Sequence, residues 1–125
     1  MAFPVTRPRR LRRTPVLRDL VRETRVAPGD LVMPLFVEEG LGAPAPIAAM
    51  PDVSRLSVTD VVAECGELAA LGLPAVLLFG IPAEKDAEGS GAWDDDGVVQ
   101  QATRAIKAAH PDLLVIADLC LCEYT

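Results

Sequence analysis

The chain has 125 residues, half of them hydrophobic, with 12 Lys+Arg against 18 Asp+Glu and a formal net charge of -6. That is enough apolar material for a core and too little charge imbalance for a disordered chain, and the length suits one small domain or part of a larger one. The longest apolar runs are seven or eight residues, too short for a bilayer-spanning helix, and the Arg-rich start lacks the apolar segment of a secretory signal, so neither a membrane nor a secretory route is expected.

Residues 1–25 carry eight arginines (Arg7, Arg9, Arg10, Arg12, Arg13, Arg18, Arg22, Arg25) against Asp19 and Glu23, a balance of +6. Residues 26–125 hold four basic and sixteen acidic residues, a balance of -12. A basic arm on an acidic body reads either as a nucleic-acid tail or as an arm that docks on an acidic surface, its own or a neighbouring subunit's. No reading module follows the arm, and only five residues of the chain are aromatic. The docking reading is therefore preferred, with no nucleic-acid partner.

Three apolar runs of strand length follow: Leu31–Val37, Ala75–Ile81 and Leu113–Leu119. Continuous rather than alternating apolarity predicts a parallel sheet buried on both faces. Pro34 cannot donate to a ladder, which predicts a local bulge in the first run. Between the runs lie two helical patterns. Ser57 and Asp60 form a capping box ahead of the stripe Val61, Val62, Cys65, Leu68, Ala69, and Gly72 with Pro74 ends it. Asp94-Asp95-Asp96 precedes the stripe Val98, Ala102, Ala105, Ile106, Ala109, where acidic residues favour a helix N-terminus; His110-Pro111 ends it. His110, the single histidine, reads as a helix-end residue.

The order strand, helix, strand, helix, strand predicts an α/β fold with parallel crossovers. It fits part of an open doubly wound sheet or the opening three strands of a TIM (β/α)8 barrel, which needs about 250 residues in full. Neither a G-x-G-x-x-G nor a Walker motif is present, so nucleotide binding has no support. Segments 38–56 and 82–97 follow strands, on the face where such folds build their sites.

The chemistry-bearing stretch is the last: Asp118-Leu119-Cys120-Leu121-Cys122-Glu123-Tyr124-Thr125. If the third strand continues through it, alternation sends Asp118, Cys120 and Cys122 to one face and the two leucines to the other. Cysteines one residue apart can share a soft metal, zinc first among the common cellular ions; the alternative is two small buried hydrophobes at a strand end. Cys65 lies on the apolar stripe of its helix and reads as structural. Three cysteines, an odd number, argue against a disulfide scaffold and for a reducing compartment.

Several stretches, in order, resemble the porphobilinogen synthase (delta-aminolevulinic acid dehydratase) family. They are Arg7-Pro8-Arg9-Arg10-Leu11-Arg12, Leu31 to Val37 with its proline, Ile47 with Met50-Pro51, and Ser54-Arg55-Leu56-Ser57. Leu78-Phe79-Gly80-Ile81-Pro82, Lys85-Asp86, Gly89-Ser90, Asp96-Gly97 with Gln100, and Ala117 to Thr125 continue the series. The resemblance implies a TIM barrel behind an N-terminal arm (1–25 arm, 26–125 first part of the barrel). It implies condensation of two 5-aminolevulinate molecules to porphobilinogen with loss of two waters, in the cytoplasm, by a homo-octamer whose arms wrap neighbouring subunits. The family uses two Schiff-base lysines and, in its zinc-type members, a zinc ion on three cysteines; other branches rely on magnesium. Cys120 and Cys122 match the first two zinc ligands and Asp118 an active-site aspartate. Lys85 and Lys107 match no catalytic position. The third cysteine and the Schiff-base lysines would lie beyond Thr125, so the resemblance implies an N-terminal fragment that is inactive alone. A metal-binding or redox module built on C-x-C, without enzyme activity, is one competing class, and an unrelated (β/α)8 enzyme sharing only the opening motifs is another.

Overall fold

The structure is a computed structural model and describes residues 2–125. One five-stranded sheet forms its centre, with β1 at Val32–Glu38, β2 at Ala45–Pro46, β3 at Ser54–Leu56, β4 at Ala75–Ile81 and β5 at Leu114–Ala117. Helices α1 (Pro15–Leu20), α2 (Val58–Ala70) and α3 (Val98–Ala109) complete the regular elements. The sheet order is β2-β3-β1-β4-β5, with β1, β4 and β5 parallel neighbours. The three apolar runs are thus β1, β4 and β5, parallel strands laid side by side in chain order, as at the opening of a (β/α)8 barrel; the short β3 also runs parallel to β1.

The helix boundaries follow from local chemistry. Asp60 N–H donates to Ser57 Oγ (3.1 Å) and Ser57 N–H donates to Asp60 Oδ2 (3.4 Å), the reciprocal box that starts α2. Gly72, at φ +85°, ends it, with Gly72 N–H on the Ala69 carbonyl and Leu73 N–H on that of Leu68. Helix α3 begins after the triple aspartate, and Arg104 ties back to the Asp95 carbonyl (2.7 Å) and the Asp96 carboxylate (3.0 Å). His110 caps its C-terminal end, and its Nε2 lies 3.0 Å from the Val62 carbonyl of α2, the helix-end role expected for it.

Both longer helices lie on one face of the sheet. Leu35, Val37, Val76 and Leu78 meet Val61, Cys65, Leu68, Val98, Ala102 and Ile106 there and form the core. The continuous apolar runs predict cover on both faces, and here the structure differs. The opposite face, with Pro34, Phe36, Leu77, Phe79, Leu114 and Ile116, is half-exposed to exposed. Phe36 and Phe79 stack on it at 5.3 Å between centroids. In a barrel this is the face that curls inward and packs on itself.

Pro34 needs no bulge. The β1–β4 register runs unbroken from Val32↔Ala75 to Glu38↔Ile81. Glu39 N–H donates to the Ile81 carbonyl, so alternation turns the nitrogen of Pro34 away from β4. On that other side β3 reaches only Phe36 and Val37, so the missing N–H costs no ladder bond.

The short antiparallel pair β2–β3 was not legible as strands, being two and three residues long. It caps the free edge of β1, where Arg55 pairs with Glu38 at 2.8 Å. The arm holds a 3-10 turn at Pro8–Arg12 and α1, which starts on Thr14 Oγ1; neither buries a residue. Among the described residues its one ion pair, Arg22–Asp19, is internal, so the basic charge is not spent on the chain's own acidic body.

Candidate metal centre and active site

The C-terminal ends of β1, β4 and β5 open onto loop 39–53, loop 82–97 and segment 118–125. Glu39 reaches across to accept the Ala83 N–H (2.9 Å). Loop 82–97 docks on the last segment through Asp86 N–H to the Tyr124 carbonyl (3.1 Å), and Lys85 Nζ lies 3.5 Å from the Cys122 carbonyl. Within the loop, Asp86 accepts from Ser90 Oγ and from the N–H groups of Ser90 (3.0 Å) and Glu88 (2.9 Å). The Ser90 hydroxyl and these amides hold its carboxyl below the ordinary aspartate range.

The expected continuation of the third strand through Cys122 does not form. Asp118 N–H still bonds the Leu78 carbonyl (3.3 Å), but β5 ends at Ala117. The chain then closes into a turn in which Tyr124 and Thr125 N–H both donate to the Leu121 carbonyl. Leu119, expected opposite the cysteines on a strand, is fully exposed instead. The turn, rather than strand alternation, brings Cys120 and Cys122 together. Their sulfurs are joined as a disulfide with Cα atoms 5.7 Å apart. A link across a single residue ties no distant segments, so it is no disulfide scaffold. Reduced, the pair presents two soft thiolates side by side, two of the four positions of a tetrahedral zinc site. Among the described residues no group of three or more His, Cys, Asp or Glu side chains is placed to hold a metal.

Asp118 is exposed and stands close enough to act on its neighbours. Burial first, then the Asp118 charge, pushes the Glu123 carboxyl up, with Lys85 pulling the other way. Burial, then Glu123 and Asp118, pushes the Tyr124 phenol up. The segment is therefore a compact acidic turn carrying two sulfurs beside one lysine. Of these residues Glu123, Tyr124 and Asp86 had no assigned role in the sequence reading. The signal for Asp86 was its spacing to Gly89-Ser90, a pattern that favours a side chain bonding its own backbone.

Cys65 lies apart from this site, fully buried in α2. Burial, with Glu64 beside it, pushes its thiol from 9.0 up to about 11. The folded chain keeps this proton at pH values where the unfolded chain has lost it. The associated stability is intact below pH 9 and is lost as pH rises through about 11. At pH 8, after reduction, iodoacetamide should label Cys120 and Cys122, and Cys65 only once denaturant is added; mass spectrometry of the peptides reads this directly.

The comparisons with known proteins bear on this geometry. The family model described as "Delta-aminolevulinic acid dehydratase" matches residues 5–125. The chain belongs to the delta-aminolevulinic acid dehydratase family. Curated relatives of that name are 53% identical over 123 residues in Synechocystis sp. (98% of this chain, 38% of that one) and 51% identical over 119 residues in Halalkalibacterium halodurans (95% and 36%). A crystal structure of delta-aminolevulinic acid dehydratase (porphobilinogen synthase) from Toxoplasma gondii ME49, in complex with the reaction product porphobilinogen, is similar at TM-score 0.86 and 38% identity. That match covers 96% of this chain and 34% of the other. The chain spans less than two-fifths of the length of these relatives. The fold is accordingly the opening three parallel strands of the family's (β/α)8 barrel. No helix of the described residues is long and apolar enough to cross a membrane.

Proposed function

We propose that this chain forms the N-terminal part of a zinc-type porphobilinogen synthase, which joins two 5-aminolevulinate molecules and removes two waters to give porphobilinogen in tetrapyrrole synthesis. The observation that carries the reading is the family match over residues 5–125, with Cys120 and Cys122 paired just beyond the C-terminal end of β5, where barrel enzymes place their chemistry. Cys120 and Cys122 supply two zinc ligands. Zinc, when bound, supplies Lewis-acid polarisation of a substrate oxygen. Asp118, exposed at the end of β5 two residues before Cys120, orients a substrate amine or carries a proton. The covalent handle on substrate is a Schiff-base lysine, which the family holds on later strands. The arm, residues 1–25, serves as a subunit contact in a homo-octamer: among the described residues its arginines form no ion pair with the acidic body, and its +6 charge suits a neighbour's acidic surface. The cytoplasm, where thiols stay reduced, is the setting this chemistry needs.

The test is made in the enzyme carrying the full barrel. Cys120→Ala removes a direct ligand and should cost more than the about 10–100-fold in zinc affinity typical of an outer-shell change, with activity falling alongside. Cys65→Ala should leave zinc content and activity nearly intact. Full zinc occupancy in Cys120→Ala would overturn the assignment.

A further inference from the structure

Three glycines converge on one side chain. Tyr124, the only tyrosine of the chain, is buried, and its ring lies between the end of β4 and loop 82–97. A Cβ placed on Gly80 would lie 2.5 Å from the Tyr124 hydroxyl oxygen. One on Gly89 would lie 3.4 Å from Tyr124 Cβ, and one on Gly91 3.3 Å from its Cδ1. Gly89 is itself buried and sits at φ +65°, a conformation that L side chains rarely adopt. The missing side chains at Gly80 and Gly91 leave room for the ring, at Gly80 beside Val99, and Gly89 lets the backbone pass close to the Tyr124 Cβ. The backbone locks the ring in place. Asp86 N–H donates to the Tyr124 carbonyl, and Tyr124 N–H closes the turn on Leu121.

We propose that Tyr124 is the positioning residue for the Cys120–Cys122 pair, its ring seated in the slot of Gly80, Gly89 and Gly91 so that the turn holds both sulfurs together. The inference rests on the reading of these cysteines as metal ligands. Cys122 is exposed and, between Asp118 and Tyr124, no residue of segment 119–123 is buried. The turn therefore has one deep anchor, two residues from Cys122. Remove the ring and the turn keeps its main-chain bonds but loses its seat in the body. The two thiolates then sample separations that no single ion can span, and binding must restore the order they have lost.

The probe is Co2+ added to the reduced chain, whose thiolate-to-metal charge-transfer absorption reports sulfur ligation directly. Tyr124→Ala and Gly91→Val should each weaken Co2+ binding about 10-fold, in the range of an outer-shell loss. Gly91 lies outside the core, so its variant keeps the test usable if Tyr124→Ala disturbs folding, and far-UV circular dichroism checks this. Tyr124→Phe retains the ring and should restore wild-type binding, which assigns the role to the ring and not to the hydroxyl. Slot variants that bind Co2+ as tightly as wild type would overturn the role of Tyr124 alone. A wild-type chain with no charge-transfer band that Cys120→Ala removes would overturn the metal-pair reading beneath it.

Discussion

Leu78→Ala is expected to lower stability by about 2–5 kcal/mol, the cost of a large-to-small change in a packed core. Leu78 is completely buried, in the middle of β4, the strand paired on both sides by β1 and β5. Its side chain meets the two-helix layer, in the same cluster as Val61, Cys65 and Ile106. Domains of this kind hold only about 5–15 kcal/mol in all, so the variant should be largely unfolded under conditions that wild type survives. Urea unfolding followed by circular dichroism measures the shift in midpoint. The exposed Leu119, changed to alanine in parallel, should move it by less than about 0.5 kcal/mol. Equal effects at the two positions would show that the core is not where the structure places it.

The second large effect is an absence of turnover. Incubated with 5-aminolevulinate and zinc, the 125-residue chain should form no pyrrole, and borohydride should trap no substrate adduct on either of its two lysines. Lys107 is tied to the carbonyls of Pro111 and Leu113, between the end of α3 and the start of β5, opposite the site. Lys85 stands at the correct end of the sheet, but in an exposed loop, with its amine on the Cys122 carbonyl. A Schiff-base lysine needs its free amine presented to the carbonyl in an enclosed setting, and neither position supplies one. The open inner face and the free edge of β5 also leave no enclosed space in which water could be excluded. Turnover near that of an intact synthase, or an adduct on Lys85, would show that the catalytic groups have been misplaced.

The three longer parallel strands and both long helices were legible because each signal is local. Apolar runs of strand length, a Ser57–Asp60 box and a glycine stop act over a few residues, and the sequence contains them whole. The same holds for the residues proposed to carry the chemistry: two cysteines and an aspartate within five positions need no fold to be noticed. The β2–β3 hairpin escaped because strands of two and three residues carry no measurable period. The bulge expected at Pro34 failed for a different reason. Whether a missing N–H costs anything depends on which neighbour lies on that side, and no property of residues 31–37 reveals that β3 stops short of it.

At the site the division is sharper. The sequence by itself determined which donors are present, the order of the elements that carry them, and membership of a family whose motifs run the length of the chain. Only the tertiary structure decided how the donors meet. Strand alternation would have set the two sulfurs on one face of an extended strand. Instead β5 ends at Ala117, and the turn at Leu121 folds Cys122 back toward Cys120. On the proposal made above, the turn is seated in the body by Tyr124, which finds space beside Gly80, Gly89 and Gly91, residues 33 to 44 positions earlier in the chain. A side chain's seat is a property of what is absent from distant residues once they are brought near, and spacing along the chain does not record it.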